Sequence, residues 1–165
     1  MASWQFDFHF IPLDVITSHY GATPVVIANE DFERHDWWSG YQSGREIETE
    51  ITSILPQLES WSSQVERWGS DDGNRVDLVW EATDITGIFV RVDVRQISQQ
   101  FLTEIVNIAR KHHFVIRLND GRVIRPSVAK LLSATRSSDA FRFCEDPKSF
   151  IDSLNTALED ENESE

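Results

Sequence analysis

Trp4, Phe6, Phe8 and Phe10 alternate with Gln5, Asp7 and His9. A period of two puts successive side chains on opposite faces of an extended chain, so the pattern predicts a strand over 4–11 with one face in the core and a polar face outward. Pro12 ends it. The β-branched run Pro24 to Ala28 is bounded by turn residues and suits a second strand or an extended connection. Residues 29–41 are polar and read as a loop carrying Trp37, Trp38 and Tyr41.

The period then changes. Ile47, Ile51, Ile54 and Leu55 recur at helical spacing after Ser43, a candidate N-cap, with Glu46, Glu48 and Glu50 early and Pro56 limiting the end. Residues 62–69 read as extended, and Ser70 to Asn74 as a turn in which Gly73 supplies a positive φ.

Two further alternating runs follow: Val76, Leu78 and Trp80 share one face, as do Ile88, Val90, Val92 and Val94. They predict adjacent antiparallel strands. Facing their apolar sides together still leaves several registers open, and charge selects one that sets Asp77 opposite Arg91 and Arg75 opposite Asp93. The neighbouring registers oppose Arg75 to Arg91 or Asp77 to Asp93, placing like charges across the ladder. An exposed pair contributes only about 0.2–1 kcal/mol, enough to choose a register but not to hold the fold.

Phe101, Leu102, Ile105, Val106, Ile108 and Ala109 form a wide apolar stripe over 97–111, with Ser98 as cap and Arg110 and Lys111 at the negative end of the dipole. Phe114 to Leu118 predicts a strand, Asn119 to Gly121 a turn and Arg122 to Ile124 a short return. A short helix after Pro126, an extended piece at Phe141 to Phe143 and a helix from Pro147 complete the domain. The acidic run 159–165 has too few apolar groups to offset the entropy of ordering and reads as a mobile tail.

The pattern therefore predicts one domain over 1–158. Its class is α+β, a mainly antiparallel sheet with helices packed on one face, of which a ferredoxin-like variant built on strand, strand, helix, strand is one form. Six tryptophans and ten phenylalanines supply enough apolar area for a core without staples. Cys144 is the one cysteine, so no internal disulfide forms and a reducing cytoplasm is expected. The N-terminal residues lack a signal-peptide pattern, and no apolar run reaches the roughly 18 residues of a membrane span.

The net charge of −13 is unevenly distributed. Residues 1–83 carry 11 more acids than bases, 84–158 three more bases than acids, and 159–165 five acids. The overall sign opposes nucleic-acid binding, which needs net local positive potential.

Candidate chemistry is sparse. His9, His19, His35, His112 and His113 show no metal-ligand spacing, and the phosphate-loop, dinucleotide and nucleophile-elbow motifs are absent, so no cofactor or metal is expected. Three groups remain. Arg75, Asp77, Arg91 and Asp93 form a charged lattice on the sheet face away from the core, with His9 on a polar face needing a nearby acid to act. Arg117, Arg122 and Arg125 gather in one hairpin as an anion patch. Trp37, Trp38 and Tyr41 suit a protein contact, or else fold over the core edge.

The leading expectation is a noncatalytic binding or regulatory protein contacting another protein through its acidic first half and aromatic loop. In general character it is similar to small acidic bacterial proteins that neutralise toxins, with no motif that names a family. The rival is a small enzyme or ligand-binding domain on the charged face, favoured if that face holds a deep pocket with a buried carboxylate. A third is an anion binder using the basic hairpin.

Overall fold

The computed structural model describes residues 3–163, with side chains to residue 157. Seven antiparallel strands form one sheet in the order β2-β3-β4-β5-β1-β6-β7, and seven α-helices accompany it. The strands are β1 (Gln5–Pro12), β2 (Gln57–Leu58), β3 (Val65–Gly69), β4 (Arg75–Glu81), β5 (Asp84–Asp93), β6 (Phe114–Leu118) and β7 (Val123–Ile124). The helices are α1 (Leu13–Tyr20), α2 (Asn29–Arg34), α3 (Gly44–Ile54), α4 (Gln99–Lys111), α5 (Val128–Arg136), α6 (Asp139–Glu145) and α7 (Pro147–Glu163). None of the described helices is long and apolar enough to cross a membrane.

The fold is α+β. Its strand, strand, helix, strand unit is β4-β5-α4-β6, and β1 lies antiparallel between β5 and β6. Strands β5 and β6 are thus parallel to each other, joined through α4 and split by β1, the split βαβ arrangement of ferredoxin-like folds carried on a larger sheet. Helices α3, α4, α5 and α6 touch in succession and cover one face. On that face lie Phe6, Phe8, Phe10, Trp68, Val76, Leu78, Ile88 and Val90, all buried. Ser98 caps α4 by accepting from Phe101 N at 3.2 Å, and the predicted stripe on α4 is buried in full. Gly44 opens α3 where a Cβ would come within 2.8 Å of Trp80 and 2.9 Å of Ile85, so the helix can approach the sheet only without a side chain there.

Several expectations need correction. Strands β4 and β5 pair as predicted neighbours, but Arg75 faces Arg91 and Asp77 faces Phe89. The preferred register considered two strands, whereas β1 supplies Asp7 directly opposite Arg91, so Arg91 is neutralised from its other side. A bulge between Val79 and Trp80 then shifts the pairing toward the β4–β5 turn. The positive φ lies at Gly69, the last residue of β3, at 109°, and not at Gly73; a Cβ at Gly69 would also sit 2.1 Å from Asn74 O, so both the backbone and the space require glycine there.

The loop expected over 29–41 contains the short helix α2, and a helix not foreseen, α1, follows Pro12. Residues 141–143 are helical within α6: Phe141 is partly buried against the core and Ser138 caps the helix by accepting from its N–H, so helical packing prevails over local alternation. Pro24 to Ala28 contributes only a bridge, Val26 to Arg122. Helix α7 runs on to Glu163, past residue 158 where the mobile tail was placed; residues 164–165 of that tail lie outside the described residues.

Candidate functional site

The second face of the sheet is built from the odd-numbered residues of β1, β4 and β5. Pairing across five strands sets Arg67, Asp77, Phe89, His9 and Arg117 in one transverse row. Arg75, Arg91 and Asp7 form the next row. This face is polar in composition yet covered, because the chain from 20 to 38 folds across its β1–β6 end.

Arg117 fastens that cover. Its guanidinium donates to Ile27 O at 2.9 and 3.1 Å and to Asn29 Oδ1 at 2.6 Å, and stacks 4.3 Å from the Phe32 ring. Only 2% exposed, Arg117 cannot belong to an open anion patch. Arg122 is instead engaged by Asp120 at 2.7 Å, while Arg125 is exposed. The three basic residues do not converge.

Beside the cover lies a cleft of about 650 Å³. Its walls are aromatic, with Phe32 and Trp37 on one side, Phe89 on the sheet and Trp61, 80% exposed, at the mouth. Its floor carries Arg75, Asp77 and Arg91. Asp7 lies at 0% exposure and receives both Nε and Nη2 of Arg91, at 2.8 and 3.0 Å, a bidentate pair. This pair raises the Arg91 pKa further above its ordinary value.

Asp77 lies 3.0 Å from Arg75 Nε and 3.7 Å from Arg67 Nε. The nearer contact lacks hydrogen-bond alignment, leaving Arg75 Nε and Asp77 Oδ1 as two of three buried polar side-chain atoms without a hydrogen bond among the described residues. Burial accordingly raises the Asp77 pKa, outweighing its three arginine neighbours. Asp93, expected in this lattice, lies outside it: its carboxylate pairs with Arg95 at 2.8 and 2.9 Å, which lowers its pKa.

His9 lines the cleft between two rings, Phe32 at 4.9 Å and Phe89 at 5.0 Å. Burial first, then Arg117, lowers its pKa to about 4 against the opposing pull of Asp7, so the imidazole is neutral near pH 7. The acid that His9 was thought to need is present as Asp7, but Arg91 holds both its oxygens.

Trp37 and Trp38 are 4% and 5% exposed. Trp37 Nε1 donates to Phe32 O at 2.9 Å, and Trp38 packs 5.2 Å from Phe114 and 5.1 Å from Tyr41. They fold over the core edge, and the tryptophan most open to solvent among the described residues is Trp61. Tyr41 meets His112 instead: its hydroxyl lies 3.3 Å from Nδ1, and its pKa is pushed up to about 12, chiefly by burial. His112 Nε2 lies 3.1 Å from Glu50, and donor atoms of Glu46, Glu50 and His112 fall within 4.8 Å of one another, close enough to hold a metal ion. The Lys111 ammonium bridges both carboxylates, 2.8 Å from Glu46 and in contact with Glu50, so the chain's own cation already neutralises part of that cluster.

Sequence reasoning missed Asp7, Arg67, Phe32, Phe89 and Trp61 as parts of one site. A signal existed for Asp7, an acid at the centre of a strand of phenylalanines, but its partner is 84 residues away. No protein-family model, curated protein or solved structure matches the chain.

Proposed function

We propose that this chain is a noncatalytic ligand-binding domain whose site is the cleft on the polar face of the sheet. The observation that carries this reading is the Asp7–Arg91 pair, with Asp7 fully buried and Arg91 on the floor of a cleft of about 650 Å³ with aromatic walls. A solvated charged face has no reason to be roofed, and a volume in the range of about 300–1,000 Å³ with apolar walls and few polar groups suits a small organic molecule.

Binding is favoured over catalysis by what lines the cleft. Among the described lining residues the one hydroxyl is Thr86, which donates to Val79 O at 3.4 Å, and His9 hydrogen-bonds no nucleophile. A protein contact through residues 37–41 has less support, because the indoles it would use are covered.

The test is a saturable titration with Nile red, an uncharged apolar dye that brightens on leaving water, against wild type and Gly87→Leu. Gly87 lines the cleft, and a Cβ there meets only Val79 at 3.7 Å, an ordinary contact, so the variant should fold and fill the space. One-to-one binding that the variant loses is expected. Binding of equal strength to both proteins, or none to wild type, would refute the assignment.

A further inference from the structure

Arg75 and Arg91 are direct cross-strand neighbours on the cleft floor, the like-charge juxtaposition that pairwise electrostatics disfavours. Their acids do not exhaust them. Arg91 gives Nε and Nη2 to Asp7, leaving Nη1 without a hydrogen bond among the described residues. Arg75 lies with Nε against Asp77 and Nη1 3.6 Å from Asp71, leaving Nη2.

The acids, by contrast, each lie against a cation or an N–H of the chain. Asp7 is chelated, Asp77 lies between Arg75 and Arg67, and Asp71 at the rim contacts Arg67 and Arg75. Asp36, also on the cleft, accepts from Trp38 N at 3.1 Å. Each floor carboxylate thus lies against an arginine of the chain itself, Asp77 Oδ1 without an aligned hydrogen bond, whereas Arg91 Nη1 and Arg75 Nη2 have no acid set against them.

Resting on the cleft reading above, we infer that the ligand is an amphipathic monocarboxylate: a flat apolar body against Phe32, Trp61 and Phe89, and one carboxylate between Arg75 and Arg91. Guanidinium matches a carboxylate in charge and donor geometry, and one free nitrogen from each of two cross-strand arginines holds it more firmly than a single nitrogen does. A single negative charge fits better than two. The covered acids Asp7 and Asp77 balance two of the three arginines at or beside the floor, Arg67, Arg75 and Arg91, and the exposed acids Asp36 and Asp71 are screened by solvent. The aromatic rings favour a planar body, which they bury by stacking.

The test displaces Nile red with 2-naphthoate and with its uncharged isostere 2-naphthamide. Wild type should bind the acid ~10-fold more tightly than the amide, the gain of a charge-assisted hydrogen bond. Arg75→Gln, which leaves Asp77 its Arg67 neighbour and Arg91 its Asp7, should bring the two ligands within about twofold, and raising salt in wild type should narrow the gap only in part. Circular dichroism shows that the variant is folded, and the acid-to-amide ratio is taken within each protein. Equal affinities of acid and amide for wild type, failure of both to displace the dye, or an unchanged preference in Arg75→Gln would each overturn the carboxylate inference while leaving the cleft assignment intact. Failure of the dye itself to bind, or its indifference to Gly87→Leu, would remove both.

Discussion

The two faces of the sheet solve the same burial problem with opposite chemistry. On the helix-covered face, Phe8, Trp68, Leu78 and Val90 are removed from water by area alone, and any apolar neighbour of suitable shape serves. On the other face, Asp7, Arg67, Arg91 and Arg117 are nearly as covered, yet each must have a particular partner at a particular distance. One face tolerates repacking; the other is specific, because an unpaired buried charge costs far more than a small cavity. That specificity, kept beneath a cleft, is what the proposed binding site rests on.

The sharpest way to break this contrast is to remove one partner and then both. Arg91→Met strands the Asp7 carboxylate and should cost about 3–5 kcal/mol, read by chemical denaturation. The double change Asp7→Leu with Arg91→Met should recover most of that loss, since two apolar groups need no partner. If the double variant is no more stable than the single, the cost lies in packing and the two faces do not differ in kind. On the apolar face, Trp68→Ala should cost about 3–5 kcal/mol through the cavity and the lost bond from Nε1 to Thr52 Oγ1 at 3.1 Å, with no compensating second substitution.

A smaller effect comes from pH. The folded pKa of His9, about 4, lies below the unfolded value of 6.5. Between these values the unfolded chain binds more protons, so stability present above pH 6.5 is lost as pH falls toward 4, by roughly 3 kcal/mol from this group. The raised pKa of Asp77 acts with the opposite sign, relieving part of that loss in acid. His9→Gln should flatten the slope of unfolding free energy across that window; an unaltered slope would assign it to other groups. The smallest effect is at the mouth of the cleft, where Trp61→Ala should change stability by no more than about 0.5 kcal/mol while weakening Nile red binding.

How far the residues foretold this arrangement depends on the range of the interaction. The stripe of α4 with its Ser98 cap, the extent of β6 and the pairing of β4 with β5 were readable, since each is decided within a few residues or one hairpin. The register was not, because Asp7, far away in the chain, changes the energy of placing Arg75 opposite Arg91. The same holds for Arg117, whose charge suggested an exposed patch until the carbonyl of Ile27 and the ring of Phe32 were brought onto it. Trp37 and Trp38 sit in a polar stretch, and only the packing of Phe32 and Phe114 against them moves them inside.

Alternation and helical periodicity, local properties of the chain, determined by themselves an α+β domain with an apolar sheet face under helices. Tertiary structure alone decided that the opposite face is roofed, which acid neutralises which arginine, and that a cleft remains between them. Those outcomes depend on charges and rings separated by up to 90 residues, and electrostatic complementarity among three or more strands has no signature in any one of them.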